Sequence, residues 1–67
     1  MATYVITVQS EDGTEHELTS FYAWGKNSAK RRYAEVQKKE AALTHLILYQ
    51  LRSRGRQRTF ITCTCLD

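Results

Sequence analysis

The stretch QLRSRGRQR, residues 50–58, sets Arg52, Arg54, Arg56 and Arg58 at every second position around Gly55. Guanidinium groups are planar, permanently charged and able to give paired hydrogen bonds to phosphates and carboxylates, so this run is a candidate anion-binding element. On an extended chain residues two apart share a face, which would project Arg52 with Arg54 and Arg56 with Arg58 as two pairs on either side of the glycine. A charged tip also keeps a hairpin soluble and deters edge-to-edge association, and the spacing alone does not separate the two uses. Arg31, Arg32 and Lys39, with Lys30 and Lys38 beside them, would extend the same basic patch.

Two further clusters have chemistry-bearing residues. FYAW, Phe21 to Trp24, supplies three aromatic rings in four positions. Such rings stack on bases or anchor protein interfaces, yet in small domains they more often fill the core with their polar ends at the rim. Gly25 and Lys26 mark the exit of the chain to the surface, so Trp24 is the ring expected outside the core. Cys63, Cys65, His16 and His45 are residue types that bind zinc, but they lack the paired knuckles of a structural zinc site. Packing of the two cysteines on the inner face of a strand is the simpler account. No third group orients a Cys–His pair as a nucleophile, and so short a chain leaves little room for a substrate cleft. Neither a metal, a cofactor nor an enzymatic activity is expected.

The elements that must position these residues follow from period and punctuation. With 67 residues, one domain covering 1–67 is the expectation, with a core so small that a homodimer or another partner would help it. TYVITVQ alternates with period 2 and is rich in β-branched residues, which predicts a strand. Asp12-Gly13 gives the positive φ of a hairpin turn, and EHELTSFYAW returns as an antiparallel strand. In that second strand Leu18 and Tyr22 share one parity and Phe21 and Ala23 the other, so a bulge near Ser20 is needed to use both sets.

From Trp24 the period changes. Ala29, Tyr33, Val36 and Leu43 fall on one face of a helix, with Asn27 or Ser28 as its cap and Glu35 at four-residue spacing from Arg31 and Lys39. Continued to Arg54, that helix would be about 42 Å long at 1.5 Å per residue, more than strands of about 20 Å can shelter. THLILYQLR and RTFITCTCL instead alternate with period 2 around SRGRQ, which predicts a second hairpin with the arginines at its tip.

Charge is divided along the chain. Residues 1–25 have Glu11, Asp12, Glu15 and Glu17 and no Lys or Arg, whereas residues 26–67 hold all 10 basic residues against three acidic ones, Glu35, Glu40 and Asp67. Such a chain can steer toward a phosphate backbone or an acidic protein surface, or simply present a solvated exterior. No basic leader with an apolar run and no stretch of membrane-spanning length is present, and the thiol pair suits a reducing compartment, so a cytoplasmic location without membrane contact is expected.

The DG-turned hairpin leading through FYAWGKNSAKRRYAEVQ into a helix resembles small proteins encoded by bacteriophages and mobile elements. In these a strand ending in aromatic and Ala residues meets an Asn-capped, Ala-spaced, basic helix. The likeness covers residues 4–37 and carries over no site residues. It implies compact host-takeover or anti-defence proteins, anti-CRISPR inhibitors among them, that occlude or remodel a host machine.

The fold expected is α+β, in the order β-β-α-β-β, an antiparallel sheet of two hairpins with one amphipathic helix packed on one face and the strand order open. The function expected is a non-enzymatic binding protein, phage-derived, that inhibits a host protein or nucleoprotein complex with an acidic surface, in the host cytoplasm. Arg52, Arg54, Arg56, Arg58, Arg31, Arg32 and Lys39 would supply charge, and Trp24 an anchor. The alternative is direct binding of DNA or RNA through the arginine tip, and the plainest reading is a structural or dimerising domain.

Overall fold

The computed structural model describes residues 2–39 and 45–65. Strand β1 is Ala2–Gln9, β2 is Glu15–Ala23, helix α1 is Lys26–Lys39, β3 is His45–Arg52 and β4 is Gln57–Cys65. The strands form one antiparallel sheet in the order β2-β1-β3-β4, so the fold is α+β. The first strand of each hairpin is central and the second lies at an edge. The predicted continuation of the α1 apolar face to Leu43 lies outside the described residues. Among the described residues, no helix is long and apolar enough to cross a membrane.

Alternation along the central strands creates two faces. Tyr4 and Ile6 of β1 join Leu46 and Leu48 of β3 in a buried cluster that also contains Ala23, Ala29 and Tyr33. The other face carries Thr3, Val5 and Thr7 in register with Leu51, Tyr49 and Ile47. Ala29 and Tyr33 are the buried residues of α1, the first two of the four positions whose spacing predicted its apolar face. The Tyr33 hydroxyl, deep in the cluster, donates to the Leu46 carbonyl at 2.7 Å and also meets the Thr64 hydroxyl. A single phenol thereby ties the helix to β3 and β4.

Local chemistry explains the connections, with three departures from expectation. The first turn is a five-residue loop, Ser10–Thr14: the Gly13 amide donates to the Ser10 carbonyl at 2.9 Å, and Gly13 alone in the loop has positive φ, at 90°. The Asp12 carboxylate accepts from the Thr14 amide at 2.9 Å. In β2 the bulge falls at Leu18, where Thr19 opposes Ile6 and Glu17 opposes Thr7, two residues before the predicted site. It brings Phe21 and Ala23 to the core cluster and turns Tyr22 outward, 73% exposed. At the start of α1 the Gly25 carbonyl accepts from the Ala29 amide at 3.0 Å, which makes Gly25 the cap and leaves Asn27 and Ser28 inside the first turn. Cys63, assigned from the sequence to an inner face, is exposed, because Ile47, its partner in register, lies on the face opposite the Leu46–Leu48 cluster.

Thr7 carries a cost. Its hydroxyl is buried without a hydrogen-bond partner among the described residues. Thr7→Val keeps the shape and removes the unpaired group, so it is expected to raise stability by about 1 kcal/mol. A denaturant midpoint that falls instead would show the hydroxyl to be satisfied.

Candidate binding surface

The residues predicted to bind do not share one plane, but most converge on one end of the sheet. In register across that end lie Tyr22 of β2, Thr3 of β1, Leu51 of β3 and Arg58 of β4. Two shallow grooves meet there. One, of about 280 Å³, is lined by Phe21, Tyr22, Trp24, Arg31, Arg32 and the acidic Glu35, among others. The other, of about 470 Å³, runs from Ala2 and Thr3 past Leu51 to Arg52 and Arg54. Since Ala2 pairs with Ala23 and Thr3 with Tyr22, the two grooves adjoin.

Each wall has a local cause. Trp24 follows the last residue of β2, where the chain leaves the sheet for the helix, and is 80% exposed. Arg31 and Arg32 lie in the second turn of α1, away from the buried Ala29 and Tyr33, and the Arg32 guanidinium sits 5.9 Å from the Phe21 ring centroid. Phe21 in turn stacks on Tyr4, with ring centroids 5.8 Å apart.

The arginine tip differs from the pattern expected of it. Extended geometry stops at Arg52, and Ser53, Arg54 and Gly55 all take positive φ, at 52°, 58° and 87°. The Arg56 amide closes the turn on the Ser53 carbonyl at 3.2 Å. Arg54 and Gly55 thus occupy the corners of a type I′ turn, the form whose twist suits a hairpin. The predicted face-sharing pairs do not form, because period 2 is broken between Arg52 and Arg56. Arg52 ends β3, Arg54 stands at the apex, and Arg56 follows it, all three exposed.

Arg58 has a separate role. Its guanidinium lies 3.6 Å from Glu15 and 5.6 Å from the centroid of the Tyr49 ring, while the Tyr49 hydroxyl donates to the other Glu15 oxygen at 3.2 Å. Glu15 and Arg58 belong to opposite edge strands and lie toward opposite ends of them, so a diagonal of the sheet separates their backbones. Side chains can meet across that distance only if the sheet is concave on this face, which also accounts for the burial of Val5 and Thr7 beneath them. Burial first, and then the Glu15 charge and hydrogen bond, raise the Tyr49 phenol above its usual pKa. At the far turn, the Thr14 amide hydrogen bond lowers the Asp12 carboxyl below its usual range.

No family model matches this chain, and no curated protein or solved structure matches it either. Its surface must therefore be read from its own chemistry. Lys39 lies about 12 Å along the helix from Arg31, next to Lys38, and shares a groove with Arg32, Glu35, Leu18 and Val36. There it complements the negative end of the helix dipole, as does Lys38. Among the described residues four of the five acidic side chains collect at the opposite end of the sheet, Glu11 and Asp12 in the first turn and Glu15 and Glu17 at the start of β2, while Glu35 lines the groove with Arg31 and Arg32. His16 pairs with Val8, while Cys63 pairs with Ile47 on the other face, so these two zinc-type side chains diverge. Among the described residues no group of three His, Cys, Asp or Glu side chains is placed to hold a metal.

Tyr22 is the site residue that sequence reasoning missed. Its parity with Leu18 was ambiguous, and the alternation changes phase at Leu18.

Proposed function

We propose that this chain is a non-enzymatic binding module that docks on an anionic macromolecular surface with the Trp24–Arg54 end of its sheet and occludes it. A helix laid over the Leu46–Leu48 face holds Arg31 and Arg32 toward that end. What supports this reading is one juxtaposition: exposed Trp24 and Tyr22 line a groove with Arg31 and Arg32, next to a groove walled by Arg52 and Arg54. Trp, Tyr and Arg are the residue types that dominate binding hot spots. The acidic side chains at the other end orient the molecule as it approaches a negative target, because a charge dipole along the strands turns the basic end forward. The target class is an acidic protein or nucleoprotein complex, and the mode of action is that of the small phage-encoded inhibitors that cover a host machine.

The same end also offers direct nucleic-acid binding, since the two rings can stack on bases while the arginines meet phosphates. Capture from bacterial lysate separates the two. Tagged protein is expected to retain a protein partner after nuclease treatment. Loss of all association with nuclease would instead assign the surface to DNA or RNA.

A further inference from the structure

The two edges of the sheet are protected unequally. Edge strand β2 carries Glu15 and Glu17 and is broken by the Leu18 bulge, devices that discourage another strand from pairing with it. Edge strand β4 has no charged residue from Thr59 to Cys65, and Thr59, Ile61, Thr62 and Thr64 give it high β-propensity. Its own irregularity lies at Ile61, opposite the step from Leu48 to Tyr49, so Thr62–Cys65 beyond it keep a regular ladder with β3. An outer row of backbone donors and acceptors in such a strand is a template for pairing.

We infer that β4 pairs antiparallel with β4 of a second copy, making an eight-stranded sheet about a twofold axis near Cys63. Charge selects the second copy as the occupant. In each chain the arginine tip and the acidic Ser10–Thr14 turn lie at opposite ends of the strands. A twofold perpendicular to the sheet reverses one chain against the other, so each end of the dimer presents one arginine tip and one acidic turn. The two basic tips then lie on opposite sides of the axis, each more than six residues of strand, or about 20 Å, from it, and the opposed dipoles attract. The closed symmetry also uses up both unprotected edges, leaving the two guarded β2 edges outside. Cys63, exposed in the single chain, meets its own symmetry copy beside the axis.

The binding surface stays at the outer ends, so this inference stands or falls apart from the proposed function. Light scattering of the reduced, full chain across a concentration series should give a mass rising to twice that of one chain. Cys63→Lys places two like charges across the axis and should hold the mass at one chain at the same concentrations, with an unchanged circular dichroism spectrum, whereas Cys63→Ser should dimerise like the parent. A parent that keeps the single-chain mass throughout, or a folded Cys63→Lys variant that dimerises equally well, overturns the proposal. Should the Lys variant not fold, hydrogen exchange of the parent decides. Protection of the Thr62–Cys65 amides must grow with protein concentration, and protection independent of concentration rejects the pairing.

Discussion

A chain carrying Arg52→Glu and Arg54→Glu is expected to fold like the parent and to lose its partner. Both side chains are exposed at the end of β3 and in the turn beyond it, and neither residue belongs to the buried cluster. Exposed charges of this kind contribute a few tenths of a kcal/mol to stability, so the melting temperature should hardly move. Binding should respond far more strongly, because each reversal replaces an attraction with a repulsion at the same place. For a protein target the association rate should fall more than the dissociation rate rises, as expected of charges at the rim. If nucleic acid is the target, the logarithm of affinity should fall linearly with the logarithm of salt concentration, with a shallower slope once the phosphate contacts are removed. Arg58 is left in place because its partner is Glu15, and changing it would disturb the fold as well as the surface. A double variant that binds the captured partner as tightly as the parent reduces the tip to a solubilising device.

Leu48→Ala should be a severely damaging truncation in the core. Leu48 is fully buried on a central strand, in register with Ile6 and Thr62 on either side. Removing its branched end forfeits the transfer free energy and leaves a cavity, a loss of about 2–5 kcal/mol. For a domain of this size each kcal/mol moves the melting temperature by roughly 4–8 °C. A chain with so little core has few kcal/mol to lose, so the variant should be largely unfolded at 37 °C. Leu51→Ala, at a half-buried position of the same strand on the other face, provides the comparison and should cost less. Equal losses at the two positions would mean that the concave face contributes as much to the fold as the Leu46–Leu48 cluster.

How much of this architecture could be read from the sequence depends on the range of each interaction. The alternation of Tyr4, Ile6 and Val8, the glycine at position 13 and the spacing of Ala29 and Tyr33 are local signals, and each sits in the element it predicts. At Leu46–Leu51 period-2 alternation, together with the length a continued helix would need, predicts a strand, and β3 forms there. Strand order was not legible, because the pairing of β1 with β3 joins residues more than 35 positions apart. The Leu18 bulge left only a conflict of parity in β2 as its trace, and the conflict was placed two residues too late. For the site, Trp24, Arg31 and Arg32 were recognised as residues, but their adjacency to Tyr22 and the arginine tip arises from strand register. The Glu15–Tyr49–Arg58 contact reaches from one edge of the four-stranded sheet to the other and leaves no local mark at all.

The turn at Arg54 bears on what this chain has been selected for. Its corner conformation, φ 58° and ψ 37°, is one that Asn or Gly adopts readily and that costs a residue such as Arg on the order of 1 kcal/mol. Arg54 is exposed and outside the buried cluster among the described residues, and the following glycine already makes the turn easy. Stability alone would therefore favour a different residue at this corner, and the hairpin would be more robust with it. Variants enriched for heat resistance and variants enriched for partner capture should part company at position 54, the first losing the arginine and the second keeping it.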